Sequence, residues 1–291
     1  MINLIKKIIG RIIGIIFHKL LELTLIFKNI HFAVKYRNGV TTIGQKSPIH
    51  DWYCVQQQPS LFITIQPEKR AIFLNLYKEM RKYEEPWYDP VRIYQFMNFI
   101  EMTDNIEGDI VELGTNNGLS AYLIFKLMKK NCNLYCFDTY DGFAKTDVDE
   151  ENILFKNEKR LLKEGLPVNF INQAKSPDEV REFIVDKDLD NEEKVKIVTG
   201  FFPNSYNNKH KNLKIKLLHI DFDLYVPTKK ALELIWDQIV PGGIVIVHDY
   251  KCHLFPGVKK SVDEFFNSIG IVPMPMGDRQ ESAVVIKNLT K

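Results

Sequence analysis

From Asp109 onward the chain alternates short apolar runs with stretches whose apolar residues recur at helical spacing. The runs 109–113, 133–138 (NLYCFD), 194–200 (KVKIVTG), 214–223 (KIKLLHIDFD), 242–250 (GGIVIVHDY), 269–275 (IGIVPMP) and 282–288 (SAVVIKN) read as strands. Helices are expected between them at 119–130, 177–185, 227–238 and 257–267. Near-continuous apolar strands alternating with helices imply a mainly parallel sheet covered on both faces, an α/β, Rossmann-like, doubly wound fold of seven strands. Only a short polar link separates the last two runs, so they form a hairpin, which makes one strand antiparallel. Upstream, a helical pair is expected at 67–83 and 90–104, with Pro86 and Pro90 between them. The sequence therefore divides into an N-terminal extension and linker, 1–66, and one α/β domain, 67–291.

The extension has its own character. Residues 1–36 are rich in Ile and Leu but are interrupted by Lys6, Lys7, Arg11, His18, Lys19, Glu22 and Lys28. No run reaches the roughly 18 to 20 uncharged residues of a spanning helix, and no small-residue cleavage site follows. A basic, Ile-rich helix over residues 1–30 serves first as a packing element, at an oligomer interface or against the domain's own core, and otherwise as peripheral contact with an anionic membrane surface; a homo-oligomer is the expected assembly. Residues 37–66 show turn residues without a sustained period and read as a connection.

Charge narrows the function. Basic and acidic residues number 39 and 37, a formal net charge of +2, which gives no general nucleic-acid surface. The four cysteines, Cys54, Cys132, Cys136 and Cys252, show no metal-ligand spacing, and Cys132 and Cys136 lie too far apart along one strand to bridge. A reducing, cytoplasmic location follows, with the inner face of the membrane as the place where residues 1–30 would touch.

Four constellations end at the carboxyl edge of the expected sheet, where open α/β folds bind ligands. Glu112-x-Gly114-x-x-x-Gly118 is a strand-to-helix turn whose free N–H groups suit an anionic group, and its spacing differs from the dinucleotide G-x-G-x-x-G. Asp138 ends the second strand twenty residues past Gly118, where an acid accepts from ribose hydroxyls. A ribose without a dinucleotide turn points to an adenosyl ligand such as S-adenosylmethionine. In "HIDFDLYVPT", Asp221 and Asp223 either share a strand face or leave Asp223 past the strand end. In "PGGIVIVHDY", His248 and Asp249 end the neighbouring strand. Asp223, His248 and Asp249 can converge as ligands for a hard cation such as Mg²⁺ or as a base for a hydroxyl proton.

The blocks "GDIVELGTNNGLS", "FDTYDGF", "IDFDLYVPT", "PGGIVIVHDY" and "FPGVKKSVDEFF" together resemble the macrocin O-methyltransferase (TylF/MycF-type) family of class I S-adenosylmethionine-dependent enzymes, over roughly residues 85–288. The resemblance implies methyl transfer to a hydroxyl, often on a sugar of a glycan or secondary metabolite, with Mg²⁺ assistance. It implies a metal site built on Asp223 and on two consecutive acids, of which the first is replaced here by His248 and the second is Asp249. Imidazole suits softer metals than Mg²⁺, so the replacement offers a base where a hard ligand is expected.

On this reading 67–291 is a class I methyltransferase domain. The cofactor is assigned to Glu112, Gly114, Thr115, Asn116, Gly118, Ser120, Asp138 and Asp221; catalysis and any metal to Asp223, His248 and Asp249. Phe201 and Phe202 either wall the pocket or pack in the core. The charged stretch 144–173 is either a lid over a small-molecule or glycan acceptor or a surface helix. Two rivals remain: a metal-dependent glycosyltransferase using Asp221-Phe222-Asp223 as a D-x-D, and an adenosyl-binding scaffold without catalysis.

Overall fold

The computed structural model describes residues 67–80, 90–156, 175–186, 188–278 and 281–288. The N-terminal extension expected over 1–66, with its membrane or assembly role, lies outside the described residues, as do Cys54, Pro86 and residues 157–173 of the 144–173 stretch. Among the described residues, no helix is long and apolar enough to cross a membrane.

Helices α1 (Pro67–Met80) and α2 (Pro90–Met102) precede strand β1 (Asp109–Leu113). The chain continues through α3 (Leu119–Leu127), β2 (Leu134–Asp138), α4 (Lys145–Leu154), α5 (Pro177–Val185), β3 (Val195–Thr199), β4 (Ile215–Ile220), α6 (Tyr225–Ile235), β5 (Ile239–Val247), α7 (Pro256–Ser268), β6 (Met274–Pro275) and β7 (Ala283–Ile286). The strands form one seven-stranded sheet in the order β3-β2-β1-β4-β5-β7-β6. All neighbours are parallel except β7, which runs against both β5 and β6. This is the expected doubly wound sheet with one antiparallel strand.

Every residue of β4 is buried, as are Ile110 to Leu113 of β1, so these central strands are covered on both faces and alternation would have been the wrong signal. Helix starts follow local chemistry. Ser176 accepts from the Glu179 N–H while Glu179 bonds back to the Ser176 backbone, with Pro177 next in line, a reciprocal cap that fixes the start of α5. Against the sequence reading, the sheet differs mainly at strand ends. β4 stops at Ile220 rather than at Asp223, and β5 begins at Ile239 and stops at Val247. Asp221, Asp223, His248 and Asp249 therefore all lie just beyond their strands, because Asp223 and Asp249 turn into the left-handed region at φ 62° and 56°.

A buried ion pair joins distant parts of the chain. The Arg92 guanidinium on α2 donates through Nε and Nη2 to Asp278 Oδ2 at 3.0 and 2.9 Å. Asp278, ahead of β7, also accepts from the Ser282 N–H and hydroxyl.

Candidate active site

The carboxyl ends of the parallel strands are brought side by side by register: Leu113 pairs with Phe137 on one side and Ile220 on the other, and Ile220 pairs with Val247. The next residues remain hooked to the neighbouring strand. Gly114 N–H donates to Phe137 O (2.8 Å), Asp221 N–H to Leu113 O (2.7 Å) and His248 N–H to Ile220 O (2.8 Å). Chain order reverses between β1 and β4, so the crevice of a doubly wound sheet opens where the glycine turn and the Asp221 segment emerge.

The turn after β1 is built from backbone. Gly114 has φ 87°, and a Cβ there would collide with the Asp221 carbonyl. Gly118, at φ 85°, caps α3 with no side-chain partner, and a Cβ would press on Val180 and Ile184 of α5. Asn116, itself at φ 48°, donates its N–H to Asp138 Oδ2 at 2.7 Å, while Asp138 Oδ1 accepts from Tyr140 N–H at 2.8 Å. Asp138 thus ties two turns and keeps lone pairs toward the edge. Burial raises its carboxyl above the ordinary value despite these donors.

Beneath the turn lies a buried polar set. Glu112 is fully buried, with Oε1 2.9 Å from His219 Nδ1 on β4. Glu112 Oε2, Thr115 Oγ1 and the Tyr140 hydroxyl have no hydrogen-bond partner among the described residues. Buried polar atoms are rarely left so, and this set suits the polar end of a ligand. Ser120 lies half-buried in the first turn of α3.

The second group is made of side chains. Asp221, Asp223, His248 and Asp249 offer ligand atoms that all lie within 4.8 Å of one another. His248 Nδ1 stands 2.7 Å from Asp221 Oδ1 and 3.0 Å from Asp249 Oδ2. Among the described residues neither ring nitrogen makes an aligned hydrogen bond, so the oxygens crowd Nδ1 off the N–H direction. Burial and the Arg92 guanidinium push the imidazole pKa down, but Asp221 and Asp249 outweigh them and push it up to about 10. Burial, with Asp221 and Asp249 as like charges, drives the Asp223 carboxyl well above the usual range. Asp221 goes the other way: burial opposes ionisation, but His248 leads the neighbours that hold its carboxyl down.

Of the residues assigned from the sequence, Gly114, Thr115, Asn116 and Gly118 form the turn with Asp138 beside it, and Asp223, His248 and Asp249 meet. Asp221 belongs to both groups: its carbonyl packs the Gly114 turn, and its carboxylate joins His248. Phe202 is buried against Tyr206 and Phe222, whereas Phe201 is exposed. The 144–173 stretch opens with α4, whose Glu151 was not singled out from sequence. Its buried carboxylate accepts from Tyr225 N–H (2.9 Å) and Gly257 N–H (3.1 Å), tying α4 to the starts of α6 and α7. A Cβ at Gly257 would strike that carboxylate, so the glycine in "FPGVKK" was the available signal. Arg92 and His219 were likewise missed.

Sheet order, crevice and glycine turn define a Rossmann-like, doubly wound α/β fold. In keeping with this, the solved structure of a calicheamicin methyltransferase, CalS11, matches with a TM-score of 0.58 at 17% identity, over 83% of this chain and 94% of that one. The family model for macrocin O-methyltransferase (TylF) matches residues 91–287, and the chain belongs to that family. It is 26% identical over 166 residues to the demethyldecarbamoylnovobiocin O-methyltransferase of Streptomyces niveus, covering 56% of this chain and 59% of that protein. It is 24% identical over 154 residues to the 8-demethyl-8-(2,3-dimethoxy-alpha-L-rhamnosyl)-tetracenomycin-C 4'-O-methyltransferase of Streptomyces olivaceus, covering 51% and 55%. The chain thus spans less than two thirds of the length of either relative.

Proposed function

We propose that the protein is an S-adenosylmethionine-dependent O-methyltransferase whose acceptor is a sugar hydroxyl in a small molecule, such as a glycan or secondary metabolite. The observation that carries this is the meeting, at one sheet edge, of a backbone-built glycine turn with the cluster Asp221, Asp223, His248 and Asp249. Membership of the macrocin O-methyltransferase family supports it. The rhamnosyl acceptor in the name of the Streptomyces olivaceus relative supports a sugar.

The cofactor fits the first half. Gly114, Thr115, Asn116, Gly118 and Ser120 hold its polar tail along the start of α3, with Glu112 Oε2 beneath, and Asp138 accepts from its ribose. The sulfonium supplies the methyl group. The chain's part is to aim an acceptor oxygen in line with that methyl and to take the oxygen's proton. Asp223 is suited to take the proton, since its left-handed turn brings its carboxylate to the strand ends beside His248 and Asp249. His248 and Asp249 orient the hydroxyl beside it. A divalent cation fits the second half, where Asp221, Asp223, His248 and Asp249 would hold it and it would supply Lewis-acid polarisation of the hydroxyl.

Residues 67–291 then form the catalytic domain. Within the N-terminal extension and linker, 1–66, the apolar, basic residues 1–30 drive self-association. Deleting residues 1–30 should lower the mass measured by light scattering; an unchanged mass with lost binding to anionic vesicles would assign the segment to a membrane surface at the cytoplasmic side instead.

The direct test is calorimetric titration with S-adenosylmethionine, with a nucleotide diphosphate sugar as control. Saturable binding of S-adenosylmethionine that is lost in Asp138→Ala supports the reading. Binding of the nucleotide sugar alone would replace it with a glycosyltransferase centred on Asp221 and Asp223. Binding without turnover on any sugar acceptor would leave an adenosyl-binding scaffold.

A further inference from the structure

One donor in the cluster is not an oxygen, and its setting is unusual. His248 is only 6% exposed, yet among the described residues neither ring nitrogen has an aligned hydrogen-bond partner, and Asp249 Oδ1 has none either. A buried imidazole normally donates from one nitrogen and accepts at the other. Here Nδ1 is aimed among carboxylates, 2.7 Å from Asp221 Oδ1 and 3.0 Å from Asp249 Oδ2, without the alignment of an N–H bond. Donors bound at about 2.0–2.2 Å around one small cation stand about 3.0 Å apart at right-angled vertices and about 3.4 Å apart at tetrahedral ones. Nδ1 and its two oxygens thus need move apart by only a few tenths of an ångström to close on one cation as co-ligands.

The backbone makes this arrangement deliberate. His248 is hooked to Ile220 O, and the left-handed turn at Asp249 folds its carboxylate back onto the ring that precedes it. Asp223 uses the same kind of turn to bring its carboxylate into the group. Neither residue is glycine, so each of these turns carries backbone strain.

Donor type then decides the ion. Mg²⁺ requires near-octahedral oxygen ligands and gives up water reluctantly, whereas imidazole raises affinity for first-row transition ions. We propose that Asp221, Asp223, His248 Nδ1 and Asp249 form a site selective for a first-row transition dication of the Co²⁺ or Zn²⁺ kind over Mg²⁺. His248 sets this selectivity. The use of the ion rests on the methyl-transfer reading; its binding does not.

The test uses the full-length, metal-free protein without acceptor. Co²⁺ is titrated by visible absorption and Mg²⁺ by competition, while S-adenosylmethionine binding is followed separately by calorimetry. Co²⁺ should bind at least about a hundredfold more tightly than Mg²⁺, and the Co²⁺/Mg²⁺ ratio should fall at least about tenfold in His248→Asp, where an oxygen replaces the imidazole. Should that variant not fold, the Co²⁺-loaded wild type decides: ligation by Nδ1 gives a hyperfine-shifted, exchangeable imidazole N–H proton in the NMR spectrum. A ratio unchanged in His248→Asp, or no shifted imidazole proton, overturns the proposal. So does failure of every dication to bind while S-adenosylmethionine still does: the imidazole would then fill the cation's place itself, and the methyltransferase reading would stand. Loss of S-adenosylmethionine binding with Co²⁺ binding intact would defeat the methyltransferase reading alone.

Discussion

The two halves of the sheet edge solve the same problem, presenting polar groups at strand ends, by opposite means. On the β1–β2 side the ligand surface is backbone: glycines at 114 and 118 accept the positive φ, and one carboxylate, Asp138, fastens the turn. On the β4–β5 side it is side chain: three aspartates and a histidine crowd together, two of the aspartates in left-handed turns that only glycine adopts freely. A backbone surface needs little support, because each group is already bonded to the next strand. A cluster of like charges needs a frame, and Arg92 and Glu151 supply it from helices remote in sequence.

This contrast is sharpened most by Asp223→Asn. The change keeps shape and removes the base, so turnover should fall on the order of 10²–10⁴-fold. Calorimetric affinity for S-adenosylmethionine should stay within about twofold, since no Asp223 atom belongs to the glycine turn. Parallel loss of both would mean that the halves are not separable.

The next effect is on stability. Asp278→Asn removes the charge of the carboxylate that Arg92 grips through two hydrogen bonds, and breaking a buried pair typically destabilises by about 3–5 kcal/mol in urea unfolding at neutral pH. Burial opposes ionisation of Asp278, but Arg92 and the Ser282 donors hold its carboxyl below the ordinary range. A group depressed in the folded state contributes fully above its unfolded pKa and loses that contribution as pH falls through the folded one. Wild type and Asp278→Asn should therefore converge in acid; a pH-independent gap would show that the pair is not the cause.

The unequal legibility of the two halves has the same origin. Strand β1 and helix α5 could be read to the residue, because an apolar run closed by Gly114 and a Ser176-Pro177 start are local signals. So could the glycine turn and Asp138. Strand ends at Ile220 and Val247 could not, since "HIDFD" and "IVIVHDY" continue the apolar pattern while left-handed turns at Asp223 and Asp249 end it. Asp221 was assigned to the cofactor, but its carboxylate joins His248. Glu151 sits in an acidic run, "DVDEEN", where nothing local separates it from Glu150, which stays at the surface. Its partners lie 74 and 106 residues away.

Gly114→Ala tests whether the halves touch. The added methyl meets the Asp221 carbonyl, and φ 87° is strained for any other residue. Strain of about 1–3 kcal/mol corresponds to roughly five- to 150-fold weaker S-adenosylmethionine binding if it falls on the binding-competent turn. Because Asp221 also carries a cluster carboxylate, metal affinity should drop as well. A variant that loses cofactor affinity alone would show that the Asp221 backbone and side chain move independently.

The smallest effect belongs to Glu151→Gln. The amide keeps one acceptor but turns an NH₂ toward either Tyr225 N–H or Gly257 N–H, losing about 1 kcal/mol for one hydrogen bond. That loss falls at the start of α6, two residues after Asp223, and at the start of α7. Were Glu151 merely a stabilising cap, only the urea midpoint would shift. As part of the frame that holds Asp223 in its left-handed turn, it should also lower kcat several-fold with the S-adenosylmethionine KM unchanged. A carboxylate on a helix outside the sheet would then be tuning one half of the edge and not the other.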